Sequence, residues 1–242
     1  MEVLGLITAR GGSKGVPRKN VKLLLDKPLL AWTVEAALRS RGLSRVLMST
    51  DDVEIADVAR TWGAEVPFLR PAALAQDDSS HIAVVTHAIQ WLEACQHARP
   101  DYIMLLQPTS PLRTAKDIDA AIQMAQEGAA VAVVSVCAAS RHPYLCKRIL
   151  TDGTLADFGS IPGDLSYLRH QILPPAYGLN GAIYLNSRES LLRDATFTPP
   201  GAVAYIMPPE RSLDIDSPWD FHLAELILRD RHASKTPELC SS

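Results

Sequence analysis

The sequence predicts an α/β fold: a mainly parallel, Rossmann-like sheet flanked by helices, in a single domain. Three observations carry that expectation. Short apolar runs alternate with segments of helical periodicity from Val3 to Val136, the signature of repeated β-α-β units. The run Ala130 to Val136 is continuous and rich in β-branched residues, as in a strand buried on both faces. With 242 residues, 47% hydrophobic and 21% charged, the chain suits one large α/β domain. The same figures exclude a disordered, collagen-like or coiled-coil chain.

The elements follow in order. Val3 to Thr8 reads as a strand that ends at a Gly-rich loop. Leu29 to Arg39 has apolar residues at helical spacing, with Leu30, Val34, Ala37 and Leu38 on one stripe. Arg45 to Thr50 is a strand, Val53 to Trp62 a helix and Ala64 to Leu69 a further strand. Ile82 to Ala94 is helical, Tyr102 to Leu106 a continuous apolar strand and Ala115 to Ala125 a helix. From Ser140 to Leu179 prolines 143, 162, 174 and 175 break the pattern, and turn signals stand at Asp152-Gly153 and Pro162-Gly163-Asp164. A structureless stretch of that length is uncommon in a compact domain, so it is read as an excursion with small elements of its own. Strands resume at Gly181 to Leu185 and Val203 to Met207, with a helix at Arg188 to Arg193 between them. Pro218 to Arg231 closes the pattern as a helix, with Ser217 as N-cap and Pro218 at the first helical position. Residues 233–242 read as a flexible tail.

The net charge is −3, from 24 basic and 27 acidic residues, so no global field exists to hold nucleic acid or an anionic membrane. Phosphate chemistry must come from a local patch. No basic leader precedes an apolar run at the start, and the longest apolar run is far short of a membrane span. Cys95, Cys137, Cys146 and Cys240 form no C-x-x-C pair and have no His at metal-ligand spacing, which reads as free thiols in a cytoplasmic protein.

Three segments carry chemistry. Directly after the first strand stands Ala9-Arg10-Gly11-Gly12-Ser13-Lys14-Gly15-Val16-Pro17-Arg18-Lys19-Asn20. Its glycines let backbone N–H groups approach an anion, and five basic residues with no acid lie between Arg10 and Lys22. The loop leaves the carboxyl end of a strand, where open α/β sheets bind ligands. Its spacing fits neither the dinucleotide-binding G-x-G-x-x-G nor the P-loop pattern. A flexible loop with solvated charges is the competing reading. The second segment, Gln107-Pro108-Thr109-Ser110-Pro111-Leu112-Arg113, also follows an apolar strand, and its prolines stiffen the turn that carries Gln107. The third is Leu213-Asp214-Ile215-Asp216-Ser217-Pro218. Two carboxylates two residues apart can face one hard cation, and magnesium needs no more than that beside substrate phosphates. Alternatively, one Asp joins Ser217 in capping the next helix.

Taken together, these segments resemble the acylneuraminate cytidylyltransferases, the CMP-sialic acid and CMP-nonulosonate synthetases. That family has an A-R-x-x-S-K-G-x-P-x-K-N loop, then L-Q-P-T-S-P-L-R, then N-G-A-I-Y, then D-I-D, and this chain has all four in that order from Arg10 to Asp216. The resemblance implies a nucleotidyltransferase domain that activates a sugar acid with CTP to give a CMP-sugar and pyrophosphate. It implies that Arg10, Gly11, Gly12, Ser13, Lys14 and Lys19 embrace the triphosphate, with Asn20 near the nucleoside. Arg70, Ser79 and Ser80 fall on the stretch that reads cytosine. Gln107 matches a sugar-contacting glutamine, and Lys147, Arg169, Tyr184 and Phe197 fall on other sugar-side positions. Asp214 and Asp216 match Mg²⁺ ligands, and Lys14, Arg10 and Asp216 would carry catalysis. Residues 140–179 match an arm that reaches over a partner subunit, which implies a homodimer.

The chain also departs from the family pattern. Where members carry R-R-Q-D-L-P, this chain has Arg169-His170-Gln171-Ile172-Leu173-Pro174, and Gly178-Leu179 stands where an arginine is common. His81 replaces a serine of the base-reading stretch, and the arm lysine is displaced to Lys147. Two rival functions therefore stay open: a nucleotidyltransferase using another nucleoside triphosphate or a sugar 1-phosphate, and a non-catalytic nucleotide-binding regulator.

Overall fold

The computed structural model describes residues 1–159 and 173–233. Among these residues, ten strands and six α-helices follow one another as β1 (Val3–Thr8), β2 (Leu23–Leu24), β3 (Lys27–Pro28), α1 (Leu29–Leu38), β4 (Arg45–Ser49), α2 (Val53–Thr61), α3 (His81–Gln96), β5 (Tyr102–Leu106), α4 (Ala115–Gly128), β6 (Ala132–Ala138), β7 (Lys147–Ile149), β8 (Leu155–Asp157), β9 (Tyr177–Ser187), α5 (Arg188–Asp194), β10 (Val203–Ile206) and α6 (Pro218–Ala233). The main sheet has the order β10-β6-β9-β5-β1-β4. β1 pairs in parallel with β4 and β5, and β10 in parallel with β6. β9 runs antiparallel to both its neighbours, β5 and β6.

The middle of the sheet is covered on both faces because its central strands, β1 and β5, are apolar throughout. β1 is buried at all six positions, and a strand without alternation can sit only between two layers. Val34 of α1, Ile55 of α2 and Ile118 of α4 pack with Ile7, Met48 and Met104 on one face. Val85, Ile89 and Leu92 of α3 and Leu191 of α5 pack with Leu6, Leu47 and Leu105 on the other. A third cluster, with Val16, Leu29, Ile215, Phe221 and Leu228, seats α6 beside the loop after β1. α1 starts after Pro28 without a side-chain cap, whereas α2, α3 and α4 start at side-chain caps. Asp52 accepts from the Ile55 N–H at 3.0 Å to start α2, Ser80 accepts from Ile82 to start α3, and Thr114 and Asp117 form a capping box on α4.

Two expectations change. The segment 64–69 does not form a strand: Glu65 makes one bridge to Leu47, and Pro67 lacks the N–H a second one needs. The strand expected at 181–185 is β9, eleven residues long, and it begins at Tyr177 inside the segment read as the excursion. Its first residues extend β6 outward, with Leu179 opposite Val136 and Tyr177 opposite Ala138. Within the excursion, β7 and β8 form a separate antiparallel hairpin.

The sheet register shifts between Val134 and Val136, opposite Gly181, whose φ is +71°. The Ser135 hydroxyl replaces the interrupted ladder bonds, donating to Asn180 Oδ1 at 2.6 Å and accepting from the Ile183 N–H at 2.7 Å. This bulge re-aims the backbone beside the cleft described next.

The chain runs from β1 to β4 on one side of β1 and then crosses to β5 on the other. Such a reversal opens a crevice at the carboxyl ends of the strands.

Candidate active site

That crevice is a cleft of about 500 Å³ lined from four directions: the loop after β1, the turn after β5, the segment between β4 and α3, and the segment before α6. Among the residues anticipated from sequence, Arg10, Ser13, Lys14, Lys19, Asn20, Arg70, Ser79, Gln107, Asp214 and Asp216 line it together. These positions are scattered over more than two hundred residues of chain, and the strand order brings them to one place.

The basic loop is fastened at both ends. Asn20 is buried and donates from Nδ2 to the Arg10 carbonyl at 3.0 Å, which closes the loop on itself. Lys19 Nζ donates to the Ile215 carbonyl at 2.6 Å and stands 3.4 Å from Asp216 Oδ1, which ties the loop to the carboxylate segment. Contact between the two is closest at Gly15, where a Cβ would lie 2.1 Å from the Asp216 carbonyl oxygen. Only glycine allows that approach. Gly11 and Gly12 lie at the outer bend, with the Gly11 N–H donating to Asp51 Oδ1 at 3.3 Å. Arg18 is turned away from the cleft and pairs with Asp52 and Glu54.

Arg70 serves the same loop from beneath. Its side chain is buried, and Nη2 donates to the Ala9 carbonyl at 3.2 Å and to Asp51 Oδ1 at 3.3 Å, while Nε has no partner. Burial lowers its proton affinity and Asp51 opposes that effect, so the guanidinium stays charged. Ser79 lines the cleft, whereas Ser80 is occupied as the N-cap of α3. His81 also lines the cleft. Desolvation, then the charges of Arg70 and Arg10, hold its pKa below the ordinary imidazole value.

Across the cleft, Asp214 and Asp216 differ in setting. Asp216 is exposed, while Asp214 is largely buried with one carboxylate oxygen, Oδ1, unpartnered. Burial pushes the Asp214 carboxyl up, the Thr109 side chain opposes this by hydrogen bonding to it, and the Asp216 charge adds to the rise. The competing capping role falls to another residue. Asp220 Oδ2 accepts from the backbone N–H groups of Asp216 and Ser217 at 3.2 and 2.8 Å, and Ser217 Oγ accepts from the Asp220 N–H at 3.3 Å. The Asp214 and Asp216 side chains are thereby left for the cleft. Gly181 sits behind them: a Cβ there would be 2.9 Å from Gln107 Oε1 and 3.3 Å from Asp214 Oδ2.

The remaining sugar-side residues lie apart from this lining. Tyr184 and Phe197 pack on each other with ring centroids 5.3 Å apart, half-buried against the α3 side of the core. Tyr184 keeps a link to the cleft, since burial and then the Asp214 charge raise its hydroxyl pKa. Lys147 is exposed on the β7–β8 hairpin and pairs with Asp157. Arg169 and His170 lie outside the described residues.

Asp77, two residues before Ser79, reaches both catalytic candidates of the loop. Its Oδ1 is 2.8 Å from Arg10 Nη1 and its Oδ2 is 2.5 Å from Lys14 Nζ. Asp51 and Thr109 were not singled out at all.

A family model described as cytidylyltransferase matches residues 4–197. The chain belongs to this family. The match takes in the basic loop, Arg70 and Gln107, and stops before Asp214 and Asp216. Among curated relatives, the N-acylneuraminate cytidylyltransferase of Escherichia coli O18:K1:H7 is 36% identical over 97% of this chain and 54% of its own length. The CMP-N,N'-diacetyllegionaminic acid synthase of Legionella pneumophila is 36% identical over 94% of this chain and 97% of its own. The pseudaminic acid cytidylyltransferase of Campylobacter jejuni serotype O:2 is 31% identical over 97% and 99%. The alignments to these relatives thus run nearly the length of this chain, which spans about half of the E. coli protein. A solved CMP:2-keto-3-deoxy-manno-octonic acid synthetase complexed with CTP shares the fold, with a TM-score of 0.70 at 18% identity, over 96% of this chain and 100% of that one.

Proposed function

We propose that this family member joins CMP from CTP to a 2-keto sugar acid, sialic acid or a related nonulosonate, releasing pyrophosphate in the cytoplasm for surface glycan synthesis. The observation that carries this reading is the facing of the Arg10–Asn20 loop and the Asp214–Asp216 pair across one cleft. Relatives named for three different nonulosonates support the substrate class.

In the reaction, the anomeric hydroxyl oxygen of the sugar attacks the α-phosphorus of CTP in line with the bond to the pyrophosphate oxygen. The new P–O bond forms as the old one breaks, the hydroxyl proton is released, and pyrophosphate leaves with the bonding pair. Negative charge gathers on the phosphoryl oxygens and the leaving group, so fixed positive charge is the main requirement. Arg10 and Lys14 supply it at the loop; Gly11 and Gly12, expected to join them, do not line the cleft, and the Gly11 N–H is held by Asp51. Lys19 and Asn20 hold the loop's shape, and Arg70, packed under Ala9, fixes its floor. Gln107, on the cleft wall, would meet the sugar.

The donor set suits magnesium: two carboxylates, one with an unpartnered buried oxygen, beside a place for phosphate oxygens. Among the described residues no group of three or more His, Cys, Asp or Glu converges as a metal site, and phosphate oxygens and water would complete the coordination beside Asp214 and Asp216. Bound at Asp214 and Asp216, Mg²⁺ would neutralise phosphate charge.

A homodimer belongs to the same proposal. The β7–β8 hairpin and the residue after it expose Ile149, Leu155 and Phe158 at 75%, 69% and 73%, an apolar surface that a second copy would cover. No helix among the described residues is long and apolar enough to cross a membrane.

The test is pyrophosphate release from a panel of nucleoside triphosphates, with magnesium, against N-acetylneuraminate-like acids, diamino analogues and sugar 1-phosphates. Release with CTP and a keto-acid is expected. Release with a sugar 1-phosphate alone would favour the rival acceptor, for which His170 in place of an arginine speaks. Tight CTP binding with no release for any pair would leave the regulator.

A further inference from the structure

We propose that the groove between α1, the start of α4 and α6 is a second anion site, which takes a small phosphate compound such as inorganic pyrophosphate. The groove encloses about 670 Å³ and shares no lining residue with the active-site cleft. Six cationic side chains line it: Lys27, Arg39, Arg113, Lys116, Arg211 and Arg231. Their counter-charges among the described residues are three: Glu35, Asp117 and Glu210, the last acting on Arg211 and Arg231 through its charge alone. Glu35 serves both Lys27 at 2.7 Å and Arg39 at 3.3 Å, and Asp117 serves Arg211 at 3.0 Å. Among the described residues, Arg113, Lys116 and Arg231 have no carboxylate in ion-pair contact.

Arg113 is the decisive member. It is 3% exposed, and a charge so buried is normally paired. Nη1 donates to the carbonyls of Ala182 at 2.6 Å and Gln107 at 3.4 Å, Nη2 donates to Thr33 Oγ1 at 2.8 Å, and Nε has no hydrogen-bond partner among the described residues. Burial lowers its pKa to about 9 against the opposing charge of Asp117, which acts on it at a distance, so the charge persists at neutral pH. Arg231 likewise spends its guanidinium on the Leu112 and Glu210 carbonyls, at 3.4 and 2.5 Å. Thr114, Ala115 and Lys116 bring the positive end of the α4 dipole to the same wall. In a chain whose net charge is −3, so many cations around one groove mark a place built for an anion.

The experiment is calorimetric titration of inorganic pyrophosphate, without metal, into R10A/K14A, whose active-site loop has lost its two cations. One pyrophosphate per chain is expected to bind. Adding R39Q and K116E, both exposed changes, should weaken that binding at least tenfold with unaltered circular dichroism. No binding to R10A/K14A, or equal binding by the two proteins, overturns the proposal. Should R10A/K14A fail to fold, the wild type is compared with R39Q/K116E, and the site requires the latter to bind one pyrophosphate fewer per chain. Because the comparison turns only on R39Q and K116E, it stands whether or not the active-site reading does.

Discussion

Asp77 and Lys14 are joined at 2.5 Å, Oδ2 to Nζ, while the other Asp77 oxygen holds Arg10 at 2.8 Å. One carboxylate thus occupies both cations assigned to the leaving pyrophosphate. The Lys14 hydrogen bond, followed by that of Arg10, keeps its pKa below the usual carboxylate range, so Asp77 is ionised throughout neutral pH. A triphosphate entering the cleft must displace it. Replacing Asp77 by Asn should therefore lower the CTP KM roughly two- to fivefold, the span expected of an exposed ion pair. Steady-state kinetics over a CTP series would show it, and a raised KM would mean that Asp77 helps hold the nucleotide instead.

The crossing of Gly15 over Asp216 gives a geometric prediction. Gly15→Ala places a methyl 2.1 Å from a carbonyl oxygen, so the loop must shift away from the carboxylate segment. A displacement near 1 Å between positioned groups costs about a hundredfold in turnover. The fall should appear in kcat while the thermal midpoint stays near that of the wild type, since Gly15 is exposed. Turnover at the wild-type level would show that the close approach is dispensable.

Asp117 predicts an acid sensitivity. It is 1% exposed, and burial opposes its ionisation, yet hydrogen bonds from Thr114, Arg211 and Tyr205 hold its pKa below the ordinary value. Because the folded pKa is depressed, the stabilisation is complete above the unfolded value of about 4 and is lost as pH falls through the folded one. Asp117→Asn should cost about 3 kcal/mol at pH 7, the low end for a buried pair because Arg211 is partly exposed. Urea midpoints of the two proteins should converge below pH 4. A gap independent of pH would place the effect in packing.

For the exposed hairpin, I149D/L155D should turn a dimer into a monomer by light scattering without changing the circular dichroism spectrum. A wild type that is already monomeric at micromolar concentration would remove the assembly from the proposal.

Local chemistry was the legible part of the sequence. The Gly-rich basic loop, the Pro-stiffened turn and the helix caps each depend on a few adjacent residues, and all three sit at the ends of elements whose periodicity was plain. What depends on neighbours in space was not legible. An apolar run has no direction, so nothing in Gly181 to Leu185 says that β9 is antiparallel, and Asn180 and Gly181 read as strand residues although they form the bulge. Asp51 was invisible because its work depends on β4 lying beside β1. Arg70 was expected to read a base, but its guanidinium is engaged with Ala9 and Asp51, a pairing that only the folded chain creates.

The antiparallel β9 has a further consequence. The chain leaves the sheet at the end of β6 and returns on β9 beside it, with Ala138 registered against Tyr177. The two ends of the excursion are therefore about one strand spacing apart, near 4.8 Å. A segment rooted this way is a detachable module: lengthening, trimming or exchanging it leaves the sheet's register untouched. Evolution can thus vary whatever contacts that segment makes while the phosphate-handling residues, anchored on β1, β5 and the approach to α6, stay as they are.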